Sequence, residues 1–316
     1  MFSLRSIHSV VAASALIALA GMAATAQAAP TILSTEQAPT TVAAYAGTVM
    51  WSTLDQSTGN YKLVKSVGGA APVDVGVPER DQPFDIDLGT NRSGNVYAVY
   101  TREGFIYRLR VSTGVETKLT ALSMGGQDFD PSIERGRIAF LHSGRGHDEL
   151  RIGDTLSGAG KPKLLVRGVI DNVELGISQL AYTVFKDGEF GGSQAVHIRN
   201  IRTGHDNAVY RAASGGANTA AVTKPSFTDD LKAFVWARTN MGSGMGNRVI
   251  KYTLRTGKLS YAQGDTRYAT TAWAGDTLGA AFSTAEIPRT NQSCEDAGVS
   301  YCTVGVTGPL SFTLTP

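Results

Sequence analysis

The sequence predicts an all-β protein, a single six-bladed β-propeller of four-stranded antiparallel blades. Three observations predict it: a recurring pattern of short strands, a glycine turn that keeps its phase, and no helical periodicity of convincing length. The clearest copy of the pattern is residues 127–168. There Ile138–Leu141, Leu150–Ile152 and Lys163–Val166 are apolar or alternating runs of strand length. Gly136, Ser143–Gly146 and Ser157–Gly158 bound them. A four-stranded unit of about 40–45 residues is the period of a propeller blade.

The phase is set by the turn between the third and fourth runs, a small residue followed by Gly. It falls at Gly68-Gly69, Thr113-Gly114, Ser157-Gly158, Thr203-Gly204, Thr256-Gly257 and Thr307-Gly308. Counted from Gly69, the steps are 45, 44, 46, 53 and 51 residues. A tight hairpin that matches sheet twist needs positive φ, which Gly adopts without steric penalty.

Taken in order, residues 1–28 read as a secretory signal peptide. Arg5 gives a positive start, Val10 to Ala20 a short apolar core, and Ala26-Gln27-Ala28 a small-residue cleavage site. That apolar run is too short to span a bilayer, and no later segment is long or apolar enough. Residues 29–316 then form one propeller domain, exported to the periplasm or secreted, and expected to act as a monomer. Without the leader, 28 basic residues face 27 acidic ones. That balance argues against a nucleic-acid partner or a general anionic-membrane binder.

Blade 1 is expected from Thr41 to about Val77, and Thr31–Ser34 reads as an extra strand closing the ring on the last blade. Blade 2 starts near Phe84, with Asn95–Thr101 and Phe105–Val111 in its middle. Blade 4 contains Leu180–Phe185 and Ala195–Ile201, blade 5 Ala233–Ala237 and Val249–Leu254. Blade 6 contains Thr277–Ser283, a long loop from Glu286 to Ser300, Tyr301–Val306, and Leu310–Leu314 as its outer strand. Trp51, Trp236 and Trp273 are expected in the core.

Asp130-Pro131-Ser132-Ile133 followed by Gly136-Arg137-Ile138-Ala139-Phe140 resembles the repeat of TolB-type six-bladed propellers. Pro225-Ser226-Phe227-Thr228-Asp229-Asp230 followed by Ala233-Phe234-Val235-Trp236 resembles it again. The family's Pro-Asp-Gly is replaced by Glu134-Arg135-Gly136 and by Asp229-Asp230-Leu231. The likeness does not reach the small α/β domain that precedes the propeller in TolB. It implies a fold, and a fold does not carry a function across.

In a propeller the loops entering the innermost strands share one face with the loops between second and third strands. Asp85, Asp130 and Asp171 come to that face in blades 2, 3 and 4, with Lys224 and Arg267 as counterparts in blades 5 and 6. One expectation is a carboxylate ring that holds Ca²⁺ or the ammonium end of a ligand, since oxygen-rich sites suit hard cations. The other is that each Asp caps its turn or pairs with Lys224 and Arg267 across the channel. His142 and His147 flank a glycine loop without a second ligand pair at zinc spacing. Gly242–Gly246 leads into a strand and so is no phosphate loop.

Cys294 and Cys302 are the only cysteines, and in an exported chain they read as a disulfide pinning the blade 6 loop. Such a link stabilises by roughly 2–3 kcal/mol in the chain-entropy model. The functional expectation is an envelope or extracellular binding module for a protein or other ligand. The alternative is a secreted lyase or hydrolase on sugars or lactones.

Overall fold

The computed structural model describes residues 30–36, 40–124, 127–154, 161–186, 193–212, 220–240, 248–262, 268–284, 302–310 and 312. The predicted leader, Arg267, Cys294, the Glu286–Ser300 loop and Gly242–Gly246 lie outside the described residues. Every regular element among those described is a strand.

Six antiparallel sheets follow one another along the chain. Blade 1 runs from its inner strand Val42–Tyr45 to Val73–Asp74, blade 2 from Asp87–Thr90 to Val115–Lys118, and blade 3 from Asp128–Glu134 to Lys163–Gly168. Blade 4 runs from Ile170–Leu175 to Asp206–Ala212. Blade 5 runs from Ala220–Val222 and Ser226–Phe227, which both pair with Ala233–Asn240, to Lys258–Tyr261. Inner strands of successive blades touch, and that of blade 6, Tyr268–Trp273, touches that of blade 1. The ring is closed.

The closure departs from one expectation and matches another. The outer strand of blade 6 is Thr31–Glu36, paired antiparallel with Cys302–Val306. Leu310 and Phe312 instead pack into the seam between blades 5 and 6, with the Phe312 ring 6.0 Å from that of Trp273. The reason is that a sheet has one free edge there, and Thr31–Glu36 holds it with an anchor. Glu36 is buried, and its carboxylate accepts hydrogen bonds from Trp51 Nε1 and Thr53 Oγ1, both at 2.8 Å.

What holds the ring is apolar packing between blades. Among the described residues there is one apolar cluster for each of the six seams. Trp51 fills the seam of blades 6 and 1, Trp236 that of blades 4 and 5, and Trp273 that of blades 5 and 6. Facing apolar surfaces cover each other, so radial repetition leaves few open sheet edges.

The glycine turns behave as their phase predicts. Gly69, Gly114, Gly204, Gly257 and Gly308 all have φ between 64° and 79°. A different glycine marks close approach of two blades. A Cβ built on Gly89 would lie 1.8 Å from the Ile133 carbonyl oxygen of the next inner strand. Gly89→Ala is therefore expected to lower stability by about 3 kcal/mol, the upper end of ordinary overpacking. A urea denaturation midpoint equal to that of the parent would contradict this packing.

Candidate functional site

The site is built by irregularities in the inner strands. Pairing slips between Phe129 and Ser132 in blade 3, and between Ile170 and Asn172 in blade 4. In blade 5 the inner strand is interrupted at Thr223-Lys224-Pro225. An extra residue on one strand re-aims its neighbours, and bulges concentrate at rims for that reason. Asp130 sits in such a slip with φ of 44°.

Side chains on these strands also satisfy the backbone of the next blade, where water has little access. Ile133 N–H donates to Asp87 Oδ2 at 2.9 Å and Leu175 N–H to Ser132 Oγ at 2.8 Å. Phe227 N–H donates to Glu174 Oε1 at 2.5 Å, and Trp273 N–H to Ser226 Oγ at 3.0 Å. These bonds fix which residues are equivalent. Two positions earlier on the same strands stand Asp85, Asp130, Asn172 and Lys224, and Thr270 in blade 6. Blade 1 supplies Thr41.

Five of those six residues, Thr41, Asp85, Asp130, Asn172 and Lys224, line one cavity of about 300 Å³ at the channel mouth. Asp171 and the Phe129 side of blade 3 complete it. The predicted Asp85, Asp130, Asp171 and Lys224 therefore share one cavity. The register differs from the expected one in blade 4, where Asn172 rather than Asp171 holds the ring position; in blade 6 Thr270 holds it, and the expected Arg267 lies outside the described residues. Asp171 reaches the cavity from the bulge beside Asn172.

Lys224 organises the charges. Its Nζ is 2.6 Å from Asp130 Oδ1, and both side chains are close to nine-tenths buried. Burial works against the ammonium, but Asp130, Asp87 and Glu174 outweigh it and hold its pKa above the ordinary value. Asp130 Oδ2 also accepts the Val173 N–H at 2.6 Å. Asp85 accepts from the Thr101 N–H and hydroxyl and from the Asp130 N–H, with Arg80 3.7 Å away. Burial still raises the Asp85 pKa against those contacts. Asp171 accepts from Gln194 Nε2 at 3.0 Å, and burial raises its pKa too.

Asp87 and Glu174, deeper in the channel, are further functional candidates that no sequence motif marks. Both are buried, and desolvation raises both pKa values, Glu174 well above the carboxylate range with the Asp87 charge adding to it. At the opposite end of the channel, buried Glu134 accepts the Thr90 hydroxyl at 3.1 Å. Burial pushes its pKa up to about 7. Tyr45 beside it is raised to about 12, by burial first and then by the Glu134 charge.

These groups do not fit the Ca²⁺ expectation. Among the described residues no group of three or more His, Cys, Asp or Glu could hold a metal ion. Asp85 and Asp130 spend their oxygens on backbone N–H groups, and the Lys224 ammonium already stands among the carboxylates. What the structure shows is the other expectation, an acid paired with Lys224 across the channel. His142 and His147 do not converge either: His142 Nδ1 pairs with Asp128 at 2.9 Å, while His147 turns toward Glu149.

No protein-family model and no curated protein matches the chain. Solved structures do match. TolB from Acinetobacter baumannii superposes with a TM-score of 0.57 at 16% identity, over 85% of this chain. The chain has the TolB-type propeller fold. It spans 65% of that TolB's length. Two further propellers are similar at the level of fold. An oligogalacturonate lyase in complex with manganese matches with TM-score 0.53 and 10% identity, over 82% of this chain and 78% of its own. A calcium-binding protein, regucalcin, from Agrobacterium tumefaciens matches with TM-score 0.53 and 11% identity, over 89% and 95%. At such identities TolB and the other two share an architecture with this chain, and nothing finer is carried over.

Proposed function

We propose that this chain is an exported β-propeller binding module of the cell envelope or extracellular space, with recognition at the channel mouth. The observation that carries the reading is the mouth cavity, to which five blades each contribute one residue at the same register position. Convergence of polar groups on one concavity is the usual form of a recognition site. Three carboxylates against one ammonium make its lining acidic, which favours a partner that presents a cationic group.

Export rests on the leader read in residues 1–28, and a purified mature chain beginning at Ala29 by mass is the expected check. Cys294 and Cys302 are proposed to be linked in that compartment, so the same mass should show both thiols oxidised. Asp171 is the variant to use for the binding itself, since its described hydrogen bond is to Gln194 alone. Tagged mature protein crosslinked in its own envelope or culture fluid should capture a stoichiometric partner. Asp171→Ala should cut that capture by roughly tenfold, the loss of one charge-assisted contact. Equal capture by a variant with an unchanged denaturation curve would sink the mouth as the recognition surface.

A further inference from the structure

A second cavity lies on the face opposite the mouth, in the seam of blades 4 and 5. Its volume is about 140 Å³, and Gln179, Ile198, Asn200, His205, Asn207 and Tyr252 are among its lining residues. Gln179 follows the first turn of blade 4, Asn200 to Asn207 bracket that blade's last turn, and Tyr252 precedes the equivalent turn of blade 5. All of these turns are on the far side of the ring from Asp85 and Asp171.

One polar group there lacks what its burial calls for. Gln179 Oε1 is buried with no hydrogen-bond partner among the described residues. A buried acceptor left without a donor costs about 1–3 kcal/mol, so such groups are normally satisfied by water or ligand. The Tyr252 ring is half-buried beside it, and that burial raises the phenol pKa. Asn200 commits Oδ1 to the Arg202 and Thr203 N–H groups at 3.0 and 2.9 Å, which leaves its Nδ2 hydrogens to donate. Asn207 Nδ2 lies 2.9 Å from His205 Nε2.

The cavity therefore offers amide donors and acceptors, the Thr203 hydroxyl and the His205 imidazole beside the Tyr252 ring and one aliphatic side chain. No carboxylate, Lys or Arg lines it. A charged ligand would find no counter-charge there, and an apolar one would leave the amides unpaired. The volume corresponds to roughly five waters, below the size of a drug-like ligand. One six-membered sugar ring matches that size. Its hydroxyls suit planar amides, and its C–H face suits an aromatic surface with a polar tip.

We propose that this seam cavity binds a single neutral sugar residue through the Gln179 and Asn200 amides, with Tyr252 as platform and hydroxyl partner. The site is independent of the mouth and stands or falls without it.

The test is saturation-transfer NMR on the whole mature protein with four probes: the methyl α-glycosides of glucose, galactose and mannose, and N-acetylglucosamine. At least one should bind saturably with Kd on the order of 1–10 mM, the weak affinity of a small, open polar site. Gln179→Leu should abolish the signal. Tyr252→Phe, which keeps the ring and removes the hydroxyl, should weaken binding about fivefold, the worth of one hydrogen bond. Asp171→Ala should leave it unchanged. If Gln179→Leu does not fold, the Tyr252→Phe titration alone decides. No saturable binding by any probe up to about 50 mM would show a cavity for water only and overturn the proposal. So would binding that survives both seam substitutions.

Discussion

Lys224→Met should destabilise the protein by about 3–5 kcal/mol near neutral pH, the cost of removing one partner from a buried ion pair. The Nζ of Lys224 is 2.6 Å from Asp130, and Asp87 and Glu174 add to the field that keeps it charged. Without it, three carboxylates remain in a desolvated channel with the ammonium gone. Protonation is then the cheapest relief, and the pKa values of Asp87 and Glu174, already raised by burial, rise further in the folded state. A carboxyl whose folded pKa is raised contributes stability below its unfolded value and loses it as pH rises through the folded value. The deficit of Lys224→Met should therefore be smaller at pH 5 than at pH 8 in urea denaturation. A deficit that is constant across that range would mean that Lys224 acts by packing rather than by charge.

Glu134→Gln should do the opposite and stabilise the protein at alkaline pH. Burial raises the Glu134 pKa from 4.5 to about 7, with the Thr90 hydroxyl only partly opposing. The folded chain therefore holds a proton there that the unfolded chain releases near pH 4.5. That contribution is complete below pH 4.5 and disappears as pH rises through about 7. A difference of that size corresponds to about 3 kcal/mol. Glutamine mimics the protonated acid, so the two proteins should be equally stable near pH 4, with the variant ahead by up to about 3 kcal/mol at pH 8. Asp85, Asp171 and Glu174 shift the same way but are present in both proteins, so the difference reports Glu134 together with its repulsion from Asp87. Parallel stability curves would place Glu134 in contact with water.

Much of this architecture is legible in the sequence because a propeller repeats its turn chemistry. Gly114, Gly204 and Gly257 announce their hairpins by a conformation few other residues adopt, and counting between them gives the blades. The ring at the mouth was legible in residue type but not in register. A bulge adds one residue to one strand only, and nothing in Ile170-Asp171-Asn172 says which of the last two takes the inward position. Blade 6 has a slip of its own, between Tyr268 and Thr270. Asp87 and Glu174 stayed hidden because a polar residue in a short alternating strand reads as solvent-facing. Only the neighbouring blade, whose N–H groups they accept, makes them interior. Thr31–Ser34 and Leu310–Leu314 both looked like outer strands for blade 6. The choice fell to Glu36, which ties its strand to Trp51 and Thr53 of blade 1 through contacts that neither segment displays alone.

In the proposed binding mode the mouth of the channel faces the partner. A photoreactive amino acid placed at Asn172, on the mouth ring, and separately at Ser93, in an exposed loop on the opposite face, tests it most directly in intact cells. An adduct of defined mass from position 172 and none from position 93 is the predicted result. An adduct from position 93 with none from 172, or none from either, would contradict the mouth as the recognition surface.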